Sequence, residues 1–452
     1  MDLNGKHILI VGLGRSGAAV ARFAADRGAR VTVSDAAPVE VLDASMQEMA
    51  ALGITVIAGS HPTAVFTDCD LVVLSPGVPH TLAPIQAAAT VGIPVMGELA
   101  LACRFIDTPM VAVTGTNGKT TVTTMIGDML SRAGKSVFVG GNIGAPLIGH
   151  VASGMRADVL VVEVSSFQLD TAPDFRPDVG VLLNITEDHM DRYVDFQAYA
   201  QSKAGIFRHQ TAEDIAIYNS ADETIRGMVA GLQARCLTFS RQDGRSAGRP
   251  GAVYTAETIT ATLPDADAVV FDITEAPLSG DHNRENMCAA ILAALCAGAG
   301  PEAVQSVLMD FGGLPHRLES VARRNGVHYV NDSKATNVDA VIRALEATPV
   351  PVILIMGGRD KGGHFKDLAP VVSRQVKHLV AIGESRQRIA GALGEYAAVT
   401  LAHTLEAGVH EAHRLAAPGD TVLLSPGCAS FDAFTSYAHR GETFRRTVEA
   451  LP

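Results

Sequence analysis

The run Thr114-Gly115-Thr116-Asn117-Gly118-Lys119-Thr120-Thr121 constrains this chain more than any other feature. It sits between an apolar, β-branched stretch at Val111–Val113 and a helix-forming stretch from Thr120 to Ala133. A glycine-rich turn between strand and helix aims backbone N–H groups at phosphates, and the lysine and hydroxyl that follow reach the terminal phosphates and Mg²⁺. The chain departs from G-x-x-x-x-G-K-[ST] at the first glycine, where Val113 stands. Such a turn belongs to strand–helix units of an open sheet, so it points to an α/β fold.

The same grammar recurs at the N-terminus. His7–Val11 reads as a strand, Gly12-Leu13-Gly14-Arg15-Ser16-Gly17 as a turn, and Gly17–Arg27 as an Ala-rich helix. A second strand, Arg30–Ser34, is followed at once by Asp35. This is a strand–turn–helix–strand–acid pattern that cradles a pyrophosphate, and by itself it suggests a dinucleotide. Leu71–Leu74 is a later strand of this unit. In the middle, strands are predicted at Val159–Val164 and Val179–Leu183, a polar loop at Arg241–Ala252, and a closing helix at Asn286–Ala297. His328–Val330, Pro351–Met356, His378–Ile382 and Thr421–Leu424 are strands of a third unit. The expected architecture is therefore three α/β domains: a Rossmann-like one over 1–98, a P-loop ATPase-like one over 99–313, and a Rossmann-like one over 314–452. A length of 452 residues suits that number.

Composition excludes other classes. With 36 Lys+Arg against 48 Asp+Glu the net charge is −12, which argues against a general nucleic-acid partner. Hydrophobic residues at 47% and charged residues at 19% argue against extensive disorder. Pro76, Pro79, Pro84 and Pro94 break the weakly charged stretch 71–97, and 287–300 is too short to span a bilayer, so no membrane span is expected. The six cysteines form neither a C-x-x-C pair nor a disulfide spacing, and read as buried reduced thiols of a cytoplasmic protein. No basic-then-apolar leader opens the sequence.

Acidic partners for the central loop follow from position. Ligands of open sheets bind at the C-terminal ends of the strands. Glu163 ends one predicted strand, and Thr186-Glu187-Asp188-His189 follows another at the same edge. Glu163 and His189 are thus candidate metal ligands beside the phosphates.

Taken together, TGTNGKTT, EVSSFQL (163–169), NITEDHMDRY (184–193) and GDHNREN (280–286) resemble the ATP-dependent Mur ligases of peptidoglycan precursor synthesis, in family order along the whole chain. LPHRLE (314–319), NDSKATN (331–337) and LSPGCASFDAF (424–434) are similar to the branch that adds D-glutamate. The resemblance implies ATP-driven amide formation on UDP-N-acetylmuramoyl-L-alanine through an acyl phosphate. It implies small-molecule substrates, no nucleic acid, and a monomer.

Residue by residue, the resemblance implies an ATP site at Gly115, Thr116, Asn117, Gly118, Lys119, Thr120 and Thr121. Asn283 and Asn286 would lie near adenine, Arg317 at phosphate and Asp332 at ribose. Thr120, Glu163, His189 and Lys203 would hold magnesium, in two ions, with Lys203 carbamylated. Lys119, Glu163, His189 and Lys203 would be the catalytic set. The UDP substrate would meet Gly14, Arg15, Ser16, Asp35, Ser75 and Gly77, then Asn142, Ser165 and Gln168. D-Glutamate would meet Asp188, Thr336, Lys361, Ser430, Phe431 and Tyr437. The chain departs from the family at Ala36 and Ala37, where relatives often carry a hydroxyl and an arginine, so the resemblance supplies no uracil contact there. Two other readings compete. One is a relative with a different acceptor, such as a folylpolyglutamate-type ligase, against which NDSKATN and LPHRLE speak. The other is a non-catalytic sensor binding NAD and ATP, against which the retained Lys119, Glu163, His189 and Lys203 speak.

Overall fold

The computed structural model describes residues 1–242, 250–360 and 362–452. Among the described residues there are three sheets, of five, nine and six strands. The first contains β1 (His7–Val11), β2 (Arg30–Asp35), β3 (Thr55–Ala58), β4 (Leu71–Leu74) and β5 (Val95–Gly97), in the order β3-β2-β1-β4-β5. All its pairings are parallel. Ile8, Leu9, Ile10 and Val11 are fully buried. A parallel strand covered on both faces needs such an unbroken apolar run rather than alternation.

The second sheet contains β6 (Met110–Thr114), β7 (Val137–Gly141), β8 (Val159–Glu163), β9 (Val179–Leu182), β10 (Ile215–Asn219), β11 (Arg235–Arg241), β12 (Gly251–Tyr254), β13 (Thr258–Thr262) and β14 (Val269–Asp272). Their order is β14-β13-β12-β11-β10-β9-β6-β8-β7. The strands from β7 to β12 pair in parallel, while β13 and β14 extend the edge as an antiparallel meander. The polar stretch predicted as a loop over Arg241–Ala252 is shorter than expected: Arg241 ends β11 and Gly251 and Ala252 begin β12, where pairing with Thr238 and Phe239 recruits them. Residues 243–249 of that prediction lie outside the described ones. The third sheet contains β15 (Glu319–Arg324), β16 (Val327–Asn331), β17 (Val352–Gly357), β18 (Val376–Ile382), β19 (Ala398–Leu401) and β20 (Thr421–Leu424), ordered β15-β16-β20-β17-β18-β19. Only the β15–β16 pairing is antiparallel among its described strands.

By contacts the chain forms two compact units. One holds Met1–Ile185, Gln197–Thr274 and Glu285–Leu308; the other holds Thr186–Phe196, Glu275–Arg284 and Met309–Pro452. The first two sheets thus share a unit. Gly97 N–H donates to Thr171 O at 2.7 Å, and Glu98 Oε1 accepts from Ile148 N–H at 2.7 Å. Glu98 Oε2 is buried without a partner.

Burial pushes the Glu98 carboxyl up to about 7, opposed by the Ile148 and Leu147 amides. Its folded value lies above its ordinary 4.5, so the folded state holds this proton more tightly. The stability it contributes is complete below pH 4.5 and is lost as pH rises through 7. We expect wild type to lose about 2–3 kcal/mol relative to Glu98→Gln between pH 4.5 and 8. Urea denaturation at both pH values checks this, and equal pH slopes in the two proteins refute it.

The cysteine expectation needs correction. All six are free, but Cys288 and Cys428 alone are buried, and Cys236 is exposed because β11 turns it toward solvent. No described helix is long and apolar enough to cross a membrane.

Candidate active site

The central loop lies where sequence placed it, after β6 and before the helix Lys119–Arg132. That helix starts behind Gly118, whose φ of +87° suits glycine, and a Cβ there would come within 2.4 Å of Asn286 Oδ1. Lys119 Nζ donates to Gly115 O (2.8 Å) and Thr116 O (2.9 Å), folding the side chain back over the loop. Both neighbours of β6 serve this edge. Glu163, the last residue of β8, stands beside the end of β6, where Val113 pairs with it. Past β9, Asn184 clasps the loop: its O accepts from Thr116 N–H (2.9 Å), its Oδ1 from Asn117 N–H (2.8 Å), and its Nδ2 donates to Asn117 O (3.1 Å). Asn184 opens the segment NITEDHMDRY, and nothing in the sequence alone assigns it this clasp.

Glu163 is only 2% exposed because it ends the apolar run Val159–Val162. Its Oε1 accepts from Asn142 Nδ2 at 2.8 Å, and its Oε2 is buried with no hydrogen-bond partner. A buried carboxylate oxygen left open is costly unless a cation meets it. Lys203, on the helix Phe196–Ala204, is also 2% exposed; its Nζ donates to Gly115 O at 2.9 Å and lies 4.7 Å from the Tyr199 ring centre. Tyr199 OH meets Thr116 Oγ1 at 3.1 Å, a second contact the sequence did not announce. Among the described residues no three His, Cys, Asp or Glu side chains gather at metal distance. The open Glu163 oxygen suits a hard cation such as Mg²⁺, and Thr120 brings a hydroxyl to the start of the helix that follows the loop. Ser165 and Gln168 form a reciprocal cap on the helix Ser166–Asp170.

At the first sheet, the turn 12–17 runs from β1 into the helix Arg15–Asp26, with Gly14 as its N-cap. A Cβ at Gly17 would fall 1.8 Å from Gly12 O, so only glycine lets helix and turn approach this closely. Asp35 is engaged with backbone: Oδ2 accepts from Leu13 N–H (2.6 Å) and Oδ1 from Ala37 N–H (2.7 Å). Ser75 Oγ donates to Gly12 O at 2.8 Å, which ties β4 to the same turn, and Gly77 follows in the turn beyond it. Arg15 is exposed beside this edge.

The second unit carries the remaining candidates. His316 and Leu318, which flank Arg317, both have positive φ, +64° and +43°. Non-glycine residues adopt that region only when their surroundings hold them there. Here two carboxylates do so: Glu319 Oε2 accepts from His316 N–H (3.0 Å), and Asp332 Oδ1 from Leu318 N–H (3.2 Å). Asp332 Oδ2 also accepts from Ser425 Oγ at 2.9 Å, and burial pushes its carboxyl up to about 7. Sequence alone suggested a surface charge there; the structure buries Asp332 and gives each of its oxygens a partner within the protein. His189 also has a positive φ, +58°, and its N–H donates to Asp188 Oδ1 at 2.9 Å.

Asp188 Oδ2 accepts from Asn337 Nδ2 at 3.2 Å, at the wall of a cavity of about 220 Å³ that Thr336, Asp339, Asp360 and Asp367 also line. Two of these carboxylates are paired, Asp339 with Arg343 and Asp360 with Arg388. Ser430 is buried, Phe431 is 64% exposed, and Tyr437 lies under Lys334 Nζ, 3.8 Å from its ring centre. Asn283 Nδ2 donates to Ser279 O at 2.8 Å. Lys361 lies outside the described residues.

Comparison with known proteins covers the same ground. Residues 6–97 match a model of the Mur ligase MurD-like N-terminal domain, 113–294 the Mur ligase middle domain, and 316–428 the Mur ligase glutamate ligase domain. The chain is 48% identical over 456 residues to UDP-N-acetylmuramoylalanine--D-glutamate ligase of Desulfosudis oleivorans, covering 100% of this chain and 98% of that protein. It is 49% identical over 452 residues to the protein of that name from Desulfatibacillum aliphaticivorans, covering 100% of both. In fold it is similar to a pseudomurein peptide ligase type C from Methanothermus fervidus, with a TM-score of 0.62 at 18% identity over 98% of this chain and 99% of that one. Matches to all three domain models, together with near-half identity over the full length, show that this chain belongs to the Mur ligase family.

Proposed function

We propose that the chain is an ATP-dependent ligase joining D-glutamate to UDP-N-acetylmuramoyl-L-alanine in cytoplasmic peptidoglycan precursor synthesis, acting as a monomer. The observation that carries this reading is Glu163, a buried carboxylate with one open oxygen beside a lysine-bearing phosphate loop. Full-length identity of 48–49% to ligases named for this reaction supports the substrates.

The family uses ATP, and the chemistry explains why. The alanine carboxylate is a poor electrophile until one oxygen becomes a leaving group. Its oxygen attacks the γ-phosphorus, an O–P bond forms, the β,γ-bridging bond breaks, and ADP departs. The amine of D-glutamate then attacks the acyl carbon; a C–N bond forms, the C–O bond to phosphate breaks, and the amine loses a proton. Loop amides, with Lys119, hold the phosphates. Magnesium, held by Thr120, Glu163, His189 and carbamylated Lys203, would offset the negative charge gathered around the transfer. Carbamylation first takes a proton from the Lys203 ammonium, then joins the neutral amine to CO₂ with loss of a second proton, so that +1 becomes −1; the near-complete burial of Lys203 suits a group that must not be solvated.

Residues 1–98 would hold the UDP end, through Gly14, Arg15, Ser16, Asp35, Ser75 and Gly77, with Asn142, Ser165 and Gln168 toward the muramoyl group. Residues 99–313 would hold ATP, with Asn283 and Asn286 at adenine; from 314–452, Arg317 would reach phosphate and Asp332 ribose. The cavity at Asp188 and Thr336 would take D-glutamate, to which the family resemblance also assigns Lys361, Ser430, Phe431 and Tyr437. Its carboxylates suit an ammonium group.

Phosphate release is the test. With ATP, Mg²⁺ and UDP-N-acetylmuramoyl-L-alanine, release is expected with D-glutamate and not with L-glutamate, L-alanine, L-lysine or meso-diaminopimelate. Release with a different acceptor moves the chain within the family, and silence with all of them from folded, ATP-binding protein overturns the ligase reading.

A further inference from the structure

The first sheet carries a histidine that no resemblance or mechanism above uses. His61 follows β3, at the same edge as the glycine turn and Asp35. Gly59 N–H donates to Ala37 O at 2.9 Å, so the loops after β2 and β3 are fastened together. Ala36 and Ala37 bring only methyl groups to this edge. Family members often carry polar side chains at those positions, so the base end of a nucleotide needs another partner here.

The hydrogen bonds around His61 fix its tautomer. Ser34 is fully buried, and its Oγ lies 3.1 Å from Ser60 O and 2.8 Å from His61 Nδ1. A carbonyl oxygen only accepts, so the single hydroxyl hydrogen goes to Ser60 O. The hydroxyl then offers a lone pair to the ring, and Nδ1 must carry the hydrogen. In the neutral imidazole this leaves Nε2 as a bare acceptor. The ring is held from a second side by Phe66, edge to face, with centroids 6.1 Å apart and planes at 88°. Phe66 is fully buried, so this support is rigid. Nε2 has no hydrogen-bond partner among the described residues, and the side chain is half-buried.

We propose that His61 is a specificity residue for the nucleobase, its Nε2 accepting the N3–H of uracil while Ser34 holds the tautomer that makes this possible. The proposal rests on the reading that the first sheet binds the UDP end of the substrate. Uracil presents N3–H between two carbonyls, which a locked acceptor matches. Cytosine presents a bare N3, and two lone pairs then face each other.

Competition against UDP-N-acetylmuramoyl-L-alanine in the phosphate-release assay, with UDP and CDP as inhibitors, tests it. Wild type is expected to bind UDP roughly tenfold more tightly than CDP. His61→Ala should raise the UDP inhibition constant and the substrate KM by roughly five- to tenfold, leave kcat and CDP inhibition unchanged, and bring the UDP/CDP ratio to about one. His61→Phe keeps a ring against Phe66 while removing the nitrogen, and should behave alike, which separates recognition from packing. Ser34→Ala should erode the preference in part. Equal or absent inhibition by UDP and CDP in wild type overturns the assignment, as does a His61 variant that keeps the wild-type ratio. Either result leaves D-glutamate-dependent phosphate release standing, whereas loss of that release with every acceptor is failure of the ligase reading itself.

Discussion

Glu163→Gln should lower D-glutamate-dependent phosphate release by about 10²–10³-fold, with the fold intact. Glutamine has the same shape, and its oxygen still accepts from Asn142 Nδ2, which lies 2.8 Å from Glu163 Oε1. What changes is the other position. Glu163 Oε2 is buried and open, and an amide NH₂ there is a donor that no cation will accept. The flanking Val159, Leu160, Val161 and Val162 are all buried and offer no oxygen in its place. Removing a buried charge does not cost stability, so the melting temperature should hold or rise. The loss should come with a raised Mg²⁺ requirement, read from turnover against metal concentration. Turnover within threefold of wild type at saturating Mg²⁺ would refute the assignment of Glu163 as ligand.

Arg440→Met should be the most destabilising change in the second unit, by roughly 3–5 kcal/mol. Arg440 is 1% exposed, the largest fully buried side chain among the described residues. Burial pulls its guanidinium down to about 10. Nη2 donates to Ser333 O (2.8 Å), Nη1 and Nη2 both to Cys428 O (3.1 Å), and Nε to Ser333 Oγ (3.1 Å). One planar fork thereby joins the loop after β16 to the loop after β20. Methionine fills much of the volume but leaves two buried carbonyls without donors, each costing about 1–3 kcal/mol. Lysine should not rescue it, because a point charge cannot bridge both carbonyls as the fork does. Thermal and urea denaturation read the effect, and a loss under 1 kcal/mol would refute the clamp. Asp188 and Thr336 lie in this unit, so weaker D-glutamate saturation should accompany the lost stability.

Much of the site was legible because its elements are local. β1, β6, β8, β17 and β20 are unbroken apolar runs, and a strand buried on both faces has no other way to be written. The turns 12–17 and 114–121 declare themselves because glycine is required where backbone meets phosphate or helix. Glu163 followed from its place at a strand's end. Asn184, Tyr199, Ser34 and Arg440 were not legible as partners, since each acts on a residue far away in sequence. Tyr199 meets Thr116 across 83 positions, and Arg440 meets Ser333 across 107. Nor was it legible that both oxygens of Asp332 and of Asp35 accept hydrogen bonds from the protein itself. The segment Thr186–Phe196 lies mid-chain but packs with the C-terminal unit, a grouping no local pattern encodes.

By itself the sequence determined what depends on neighbours along the chain: strand runs, phosphate turns, helix starts, and the residue types a phosphoryl-activating ligase needs. Only the tertiary structure decided what depends on distance through space. It left one Glu163 oxygen open and occupied both of Asp332's, it set the His61 tautomer through Ser34, and it put a guanidinium where two loop carbonyls needed donors. The reason is physical. A backbone conformation is chosen by steric and hydrophobic terms summed over adjacent residues, whereas the state of a buried polar atom is set by whichever partner the fold carries to within about 3 Å of it.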